Sequence, residues 1–200
     1  MRPDLEVVAG LVEPRSRVLD LGCGDGQLLA YLFEERGCRG TGVDLDPQSV
    51  LAALRRGVPV IELNLDNDLG EFADNTYDLV VVSQTLQAMR HPDAVLREIT
   101  RIAGRGIVSV PNFGLWRHRA HLLVRGKMPV STELPHPWWS TPNIHLATLA
   151  DLEGLFAELG LAVRRRVLLD AHGRASAGLR ARGPANLLAS GAVYLVEHTG

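Results

Sequence analysis

The sequence predicts a doubly wound α/β fold around a mostly parallel sheet of seven strands. Three observations carry that reading. First, Val18-Leu19-Asp20-Leu21, suited to a buried strand, runs straight into Gly22, Gly24 and Gly26, and a helical pattern starts at once with Leu28, Leu29, Leu32 and Phe33 at i, i+3, i+4 spacing. Second, short apolar runs alternate with helical segments as far as residue 110, which is the pattern of parallel strands joined by crossovers. Third, one helix and two late strands joined by a loop follow residue 146, which brings the strands to seven.

Each element has a local cause. Residues 1–16 read as a short helix with Leu5, Val8, Leu11 and Val12 on one face, ended by Pro14, that caps the sheet or a ligand site. The first strand covers 17–21, and the helix after it covers 26–36, closed by Gly37. The second strand covers 39–43. Asp46 then caps a helix with Pro47 at its first position, running to about Arg56. Pro59 to Leu63 is the third strand, followed by a polar turn from Asn64 to Asp68. The run from Tyr77 to Val82 is apolar enough for a central strand buried on both faces. Pro92 opens a helix to about Ala103, and Ile107 to Val110 forms the fifth strand, stopped by Pro111.

Residues 112–146 break this rhythm. Prolines at 129, 135, 137 and 142 forbid a long helix across the second half, and Trp116, Trp138 and Trp139 all lie here. The segment is expected to be a lid or insertion that sets specificity, because long connections without periodicity inside a compact domain are usually functional. Trp138 and Trp139 are expected to cover a pocket or form a partner surface. A helix at 148–159, a strand from Leu161 to Leu169, a mobile Gly/Ala/Arg-rich connection at 170–189 and a strand from Ala192 to Val196 complete the chain. The whole, 1–200, reads as a single domain.

Composition narrows the function classes. Apolar residues make up 46% and charged residues 22%, with a net charge of −2 and no basic run interleaved with aromatics, so nucleic-acid binding has no electrostatic footprint. No apolar stretch reaches the length of a membrane span, and the N-terminus lacks the apolar core of a secretory signal. Cys23 and Cys38 have neither metal spacing nor a disulfide framework, which points to a cytoplasmic protein. His118 and His121 stand at i, i+3 with His136 and His145 in the same segment, but no cysteine or acidic ligand joins them at a standard spacing, so no metal is expected.

The candidate site lies where ligands of open parallel sheets lie, beyond the carboxyl ends of the strands beside the first one. Gly22 and Gly24 would let a ligand approach the main chain, and the helix after Gly26 aims free N–H groups at the turn. The spacing departs from the dinucleotide fingerprint G-x-G-x-x-G, with Gln27 where the last glycine belongs, which disfavours a nicotinamide cofactor. Asp44 closes the second strand about 20 residues past the glycines, where an acid can accept from both ribose hydroxyls. Leu45 is placed to pack on an adenine face. Asp66 either accepts from the adenine amine or satisfies its own turn. Ser83 to Gln87 and Pro111 to Phe113 complete the rim. Neither an N/D-P-P-Y/F sequence after the fourth strand nor a magnesium-binding cluster of acids is present, so no catalytic residue is identifiable and enzyme activity is left open.

The D-x-G-x-G-x-G run from Asp20 to Gly26 resembles motif I of the Rossmann-like class I S-adenosylmethionine (SAM) methyltransferases, which implies that the two late strands close the sheet as an antiparallel pair, with an antiparallel last strand. The longer blocks Val18–Gly26, Val82–Gln87 (VSQTLQ), Ile107–Arg117 (IVSVPNFGLWR), Gly126–Val130 (GKMPV) and Thr141–Leu146 (TPNIHL) resemble the MetW family of methionine biosynthesis nearly end to end. The resemblance implies a SAM or S-adenosylhomocysteine site carried by Asp20, Gly22, Gly24, Gly26 and Asp44, and the strand-end positions Cys23, Leu45, Asp66 and Ser83 complete the candidate set. It also implies a partner, the homoserine O-acyltransferase MetX, whose acylation of homoserine such proteins support. The alternative is an active methyltransferase of an unidentified small molecule, with Asn112, Trp116, His118 and His145 as polar and aromatic groups of its lid.

Overall fold

The computed structural model describes residues 1–175 and 182–199. Its strands are β1 (Arg17–Leu21), β2 (Arg39–Asp44), β3 (Val60–Glu62), β4 (Leu79–Ser83), β5 (Arg105–Pro111), β6 (Leu161–Leu169) and β7 (Gly191–His198). They form one sheet in the order β3-β2-β1-β4-β5-β7-β6, parallel except for β7, which runs antiparallel to both of its neighbours. The helices are α1 (Pro3–Leu11), α2 (Gln27–Arg36), α3 (Pro47–Arg55), α4 (Pro92–Ala103), α5 (Trp116–Arg125), α6 (Leu149–Glu158) and α7 (Arg182–Leu188).

The sheet is apolar on both faces, and alternate residues feed two cores. On β4, Val80 and Val82 join Leu96, Ile99 and Phe156 under α4 and α6, while Leu79 and Val81 join Leu5, Val8, Leu28 and Leu32 under α1 and α2. All five β4 residues are buried, as expected of a central strand. One helix start obeys the cap read from the sequence, and the structure adds a second. Asp46 accepts from the Gln48 and Ser49 amides, and Thr148 with Asp151 makes a capping box on α6.

Three differences from expectation have a tertiary or local reason. β3 is only three residues long and half exposed, because it is an edge strand. β5 starts two residues early, since Arg105 and Gly106 pair with Glu197 and Val196 of β7. Within 170–189, residues 182–188 are helical rather than a loose connection. Pro184 sits in the first turn, where its missing N–H costs nothing. The expected mobility of the stretch falls partly on 176–181, outside the described residues.

Candidate functional site

Three glycines at positive φ turn the chain from β1 into α2: 78° at Gly22, 56° at Gly24 and 73° at Gly26. The Gly22 and Cys23 amides both donate to the Val43 carbonyl, at 2.8 and 3.0 Å, so the corner is tied to the end of β2. The glycines are not equivalent. A Cβ on Gly22 would meet Thr85 Oγ1 at 2.3 Å, and one on Gly26 would meet Ala53 and Val58 at 3.1 Å. A Cβ on Gly24 would meet nothing within 4 Å. The expectation that Gly22 and Gly24 both lie open is therefore corrected: Thr85 packs against Gly22, and the open backbone is at Gly24.

Asp44 closes on this corner. Its Oδ2 accepts from the Gly24 amide at 2.8 Å and its Oδ1 from the Asp46 amide at 3.0 Å. A carboxylate has about four lone-pair sites, so each oxygen keeps acceptor capacity. The N-terminus of α2 opens at Gly26, and Leu45 beside Asp44 is 58% exposed. Asp20 is buried at the floor. Burial first, and the Asp44 carboxylate second, push its carboxyl up to about 7, while Arg2 pulls the other way.

Other predicted residues have different surroundings. The Cys23 side chain is buried, with Sγ in the space that a Cβ on Gly42 would need. Burial, then Asp20 and Asp44, push its thiol up to about 12, so it stays protonated and only its main chain can serve the corner. Asp66 Oδ1 accepts from the Arg90 and His91 amides at 2.8 and 3.4 Å, tying the loop after β3 to the start of α4. Ser83 is buried, and its Oγ has no partner among the described residues.

The loop after β4, placed on the rim by the sequence, has roles that no sequence pattern marks. Gln84 takes φ 58°, a left-handed conformation that costs energy outside glycine, and is held there by its amide on the Ser109 carbonyl (2.9 Å) and its Nε2 on Ser109 Oγ (3.1 Å). Gln87 then anchors the lid, since its carbonyl accepts from the Ile144 and His145 amides, both at 3.0 Å. Thus the TPNIHL block docks onto the VSQTLQ loop.

The lid contains α5 and the irregular chain after it. Asn112 is fully buried. Its Nδ2 donates to the Asn186 and Ala189 carbonyls at 3.0 and 2.8 Å, and its Oδ1 accepts from the Gly114 and Leu149 amides at 2.9 and 3.4 Å. Its polar capacity is spent on the fold, which corrects its reading as a substrate-facing group. His118 is also interior, stacked on Phe113 with Nε2 3.0 Å from Ser131 Oγ. Trp138 and Trp139 are 70% and 71% exposed and pack edge-on against each other, so they do not cover a pocket. Among the described residues no three His, Cys, Asp or Glu side chains are grouped to hold a metal ion, and no helix is long and apolar enough to cross a membrane.

The sequence profile described as "Methionine biosynthesis protein MetW" matches residues 2–196. The chain is 33% identical over 176 residues, 84% of its length, to the bifunctional methionine biosynthesis protein MetXA/MetW of Rhodopirellula baltica, and spans 28% of that relative. It is 27% identical over 97 residues, 44% of its length, to norajmaline N-methyltransferase of Rauvolfia serpentina, and spans 32% of it. Among solved structures, an S-adenosylmethionine-dependent methyltransferase from Mesorhizobium loti superposes with a TM-score of 0.70 at 17% identity, covering 98% of this chain and 96% of that one. A possible histamine N-methyltransferase from Thermotoga maritima gives 0.67 at 18% identity, covering 98% and 87%.

Proposed function

The chain belongs to the MetW family of methionine biosynthesis proteins, and from that premise we propose that it binds SAM at the glycine corner and acts with homoserine O-acyltransferase in the acylation of homoserine. The observation that carries the first half is the meeting of Asp44 and the open Gly24 backbone, 2.8 Å apart, at the carboxyl edge of β1 and β2. These groups fit an adenosyl ligand. Asp44 would accept from the ribose hydroxyls, the uncrowded Gly24 main chain would lie against the ligand, and exposed Leu45 would cover one face of the base. Gly22, Cys23 and Gly26 would shape the turn, Asp20 would favour the cationic end, and Asp66 and Ser83 flank the site. Bound SAM would supply an electrophilic methyl on a sulfonium.

The partnership is supported by the Rhodopirellula baltica relative, named as a bifunctional MetXA/MetW protein. The expected result is that this chain co-purifies with the acyltransferase and changes its rate; no association and no rate change would remove the partnership. Calorimetric titration with SAM, S-adenosylhomocysteine and NAD tests the cofactor separately: the two adenosyl-sulfur ligands should bind and NAD should not.

The second reading, methylation of a small molecule, is favoured by one specific feature, an apolar cavity beside the loop after β4. Conversion of labelled SAM into a methylated metabolite in cell extract would support it, and inert SAM across extracts would count against it.

A further inference from the structure

A cavity of about 260 Å³ lies between the loop after β4, the end of β5, α6 and the docked lid. Its wall is apolar: Leu86, Val110, Phe113, Leu134, Leu152 and Leu155 line it. An apolar void of about 150 Å³ accepts benzene in an engineered core. This one is larger and has one polar feature the fold leaves unanswered. Gln87 Oε1 is buried without a hydrogen-bond partner among the described residues. The amide orientation is fixed, because Nε2 donates to the Gln84 carbonyl at 2.8 Å and a flip would set two oxygens face to face. An unpaired buried acceptor carries a desolvation penalty that a ligand donor would relieve.

Charge restricts the ligand further. Asp151 stands on the rim, and neither lysine nor arginine lines the cavity. Hydrogen bonds from Thr148 hold the Asp151 carboxyl below its ordinary range, so it is ionised at neutral pH. A carboxylate or phosphate entering here would meet a like charge and no permanent cation; His145, the one other titratable residue of the lining, has its Nε2 3.4 Å from the Arg90 carbonyl. We propose that this cavity binds a compact aromatic or branched aliphatic molecule bearing one amine or alcohol donor, which pairs with Gln87 Oε1 while its body fills the apolar wall. The same residue holds the lid through its carbonyl on Ile144 and His145, so the ligand and lid closure share one anchor. None of the glycine-corner residues lines the cavity, although the same loop also meets the corner where Thr85 packs against Gly22. The site therefore stands whether or not SAM occupies the corner, and by its polarity it excludes both homoserine, which carries a carboxylate, and the phosphates of an acyl carrier.

The test uses the full chain and four probes with one body: 2-phenylethylamine, 2-phenylethanol, ethylbenzene and phenylacetate. Binding is followed by the methyl resonances of Val110, Leu152 and Leu155. The amine and the alcohol should bind up to about tenfold more tightly than ethylbenzene, the size of one hydrogen bond, and phenylacetate should bind weakest. Gln87→Met should erase the advantage of the donors while ethylbenzene binding persists. Ala147→Phe, introduced from the exposed lid side, should abolish binding of all four while the thermal midpoint and the SAM titration stay unchanged. Silence of the cavity methyls with every probe, phenylacetate binding as well as the alcohol, or a Gln87→Met protein that still prefers donors would each overturn the assignment. SAM titration on the same samples reads the corner independently, so loss of one site is not mistaken for loss of the other.

Discussion

The two halves of the site are held by different forces. The glycine corner is a backbone device: three positive φ angles, two amides on the Val43 carbonyl, and one carboxylate on the Gly24 amide. Its parts lie close in sequence or on adjacent parallel strands. The lid has no such internal frame. Asn112 clamps it to the start of α6 and to the end of α7, and Gln87 clamps its far end to the loop after β4. Support in the corner is therefore spread over several backbone bonds, whereas the lid hangs chiefly on one side chain, Asn112, and one main-chain acceptor, the Gln87 carbonyl. Concentrated support fails on single substitutions, and distributed support does not.

The largest effect should come from the lid clamp. Asn112→Ala removes four hydrogen bonds and strands two amides and two carbonyls in a fully buried place. A cost of about 5 kcal/mol in urea unfolding is expected, since each stranded buried group costs about 1–3 kcal/mol and the losses overlap. A cost near 1 kcal/mol would mean that the lid is held elsewhere.

The corner has its own weak point in Asp20, and it is electrostatic. Its carboxyl titrates at about 7 in the fold against 3.8 unfolded. The unfolded chain therefore loses this proton first as pH rises. The stability contributed by the neutral buried acid is complete below pH 4, declines between about 4 and about 7, and levels off above. The shift of about three units corresponds to roughly 4 kcal/mol. Asp20→Asn should flatten that slope in chemical denaturation measured from pH 5 to 8. A cation bound at the corner should favour the ionised form, so SAM affinity should rise across the same window in the native protein and lose that dependence in Asp20→Asn.

Within the corner, Gly22 and Gly24 should separate structure from ligand approach. Gly22→Ala meets Thr85 as well as left-handed strain, for a cost of about 3 kcal/mol; Gly24→Ala meets strain alone, about 1–2 kcal/mol. Only Gly24→Ala should weaken SAM binding out of proportion to its effect on stability, compared by calorimetry and thermal midpoint. Equal effects on binding would mean that the two glycines serve the fold alike.

The same contrast explains what the sequence made readable. The strand–turn–helix at Val18 to Phe33, the Asp46 cap and the apolar β4 run are short-range patterns, each with one local solution, and all recur in the structure. Asp44 was legible because parallel strands fix its place relative to the corner. Thr85 was not, since its role is to fill the space above Gly22, a contact 63 residues apart that no periodicity marks. Gln84 at positive φ and the orphaned Gln87 oxygen were hidden for the same reason. Asn112 looked like a site residue because a polar side chain after a strand end suits a ligand as well as it suits a clamp. Only the arrival of Asn186 and Ala189 decides between them. The helix at 182–188 was obscured by Gly183 and Pro184, which signal a loop in isolation.

The smallest effect belongs to the two residues that stand out most in the lid sequence. Trp138 and Trp139 are large, adjacent and aromatic, and a sequence pattern weighs them heavily. In the fold they are 70% and 71% exposed and touch one another at a ring separation of 5.9 Å. Little apolar area leaves water there, and an edge-on aromatic pair on the surface contributes at most about 1 kcal/mol. Trp138→Ala with Trp139→Ala should shift unfolding stability by less than about 0.5 kcal/mol, within the usual range for surface substitutions, and leave the SAM titration untouched. A loss of several kcal/mol in this double variant would show that the tryptophans close onto the lid in solution, and the lid would then share the distributed support of the corner.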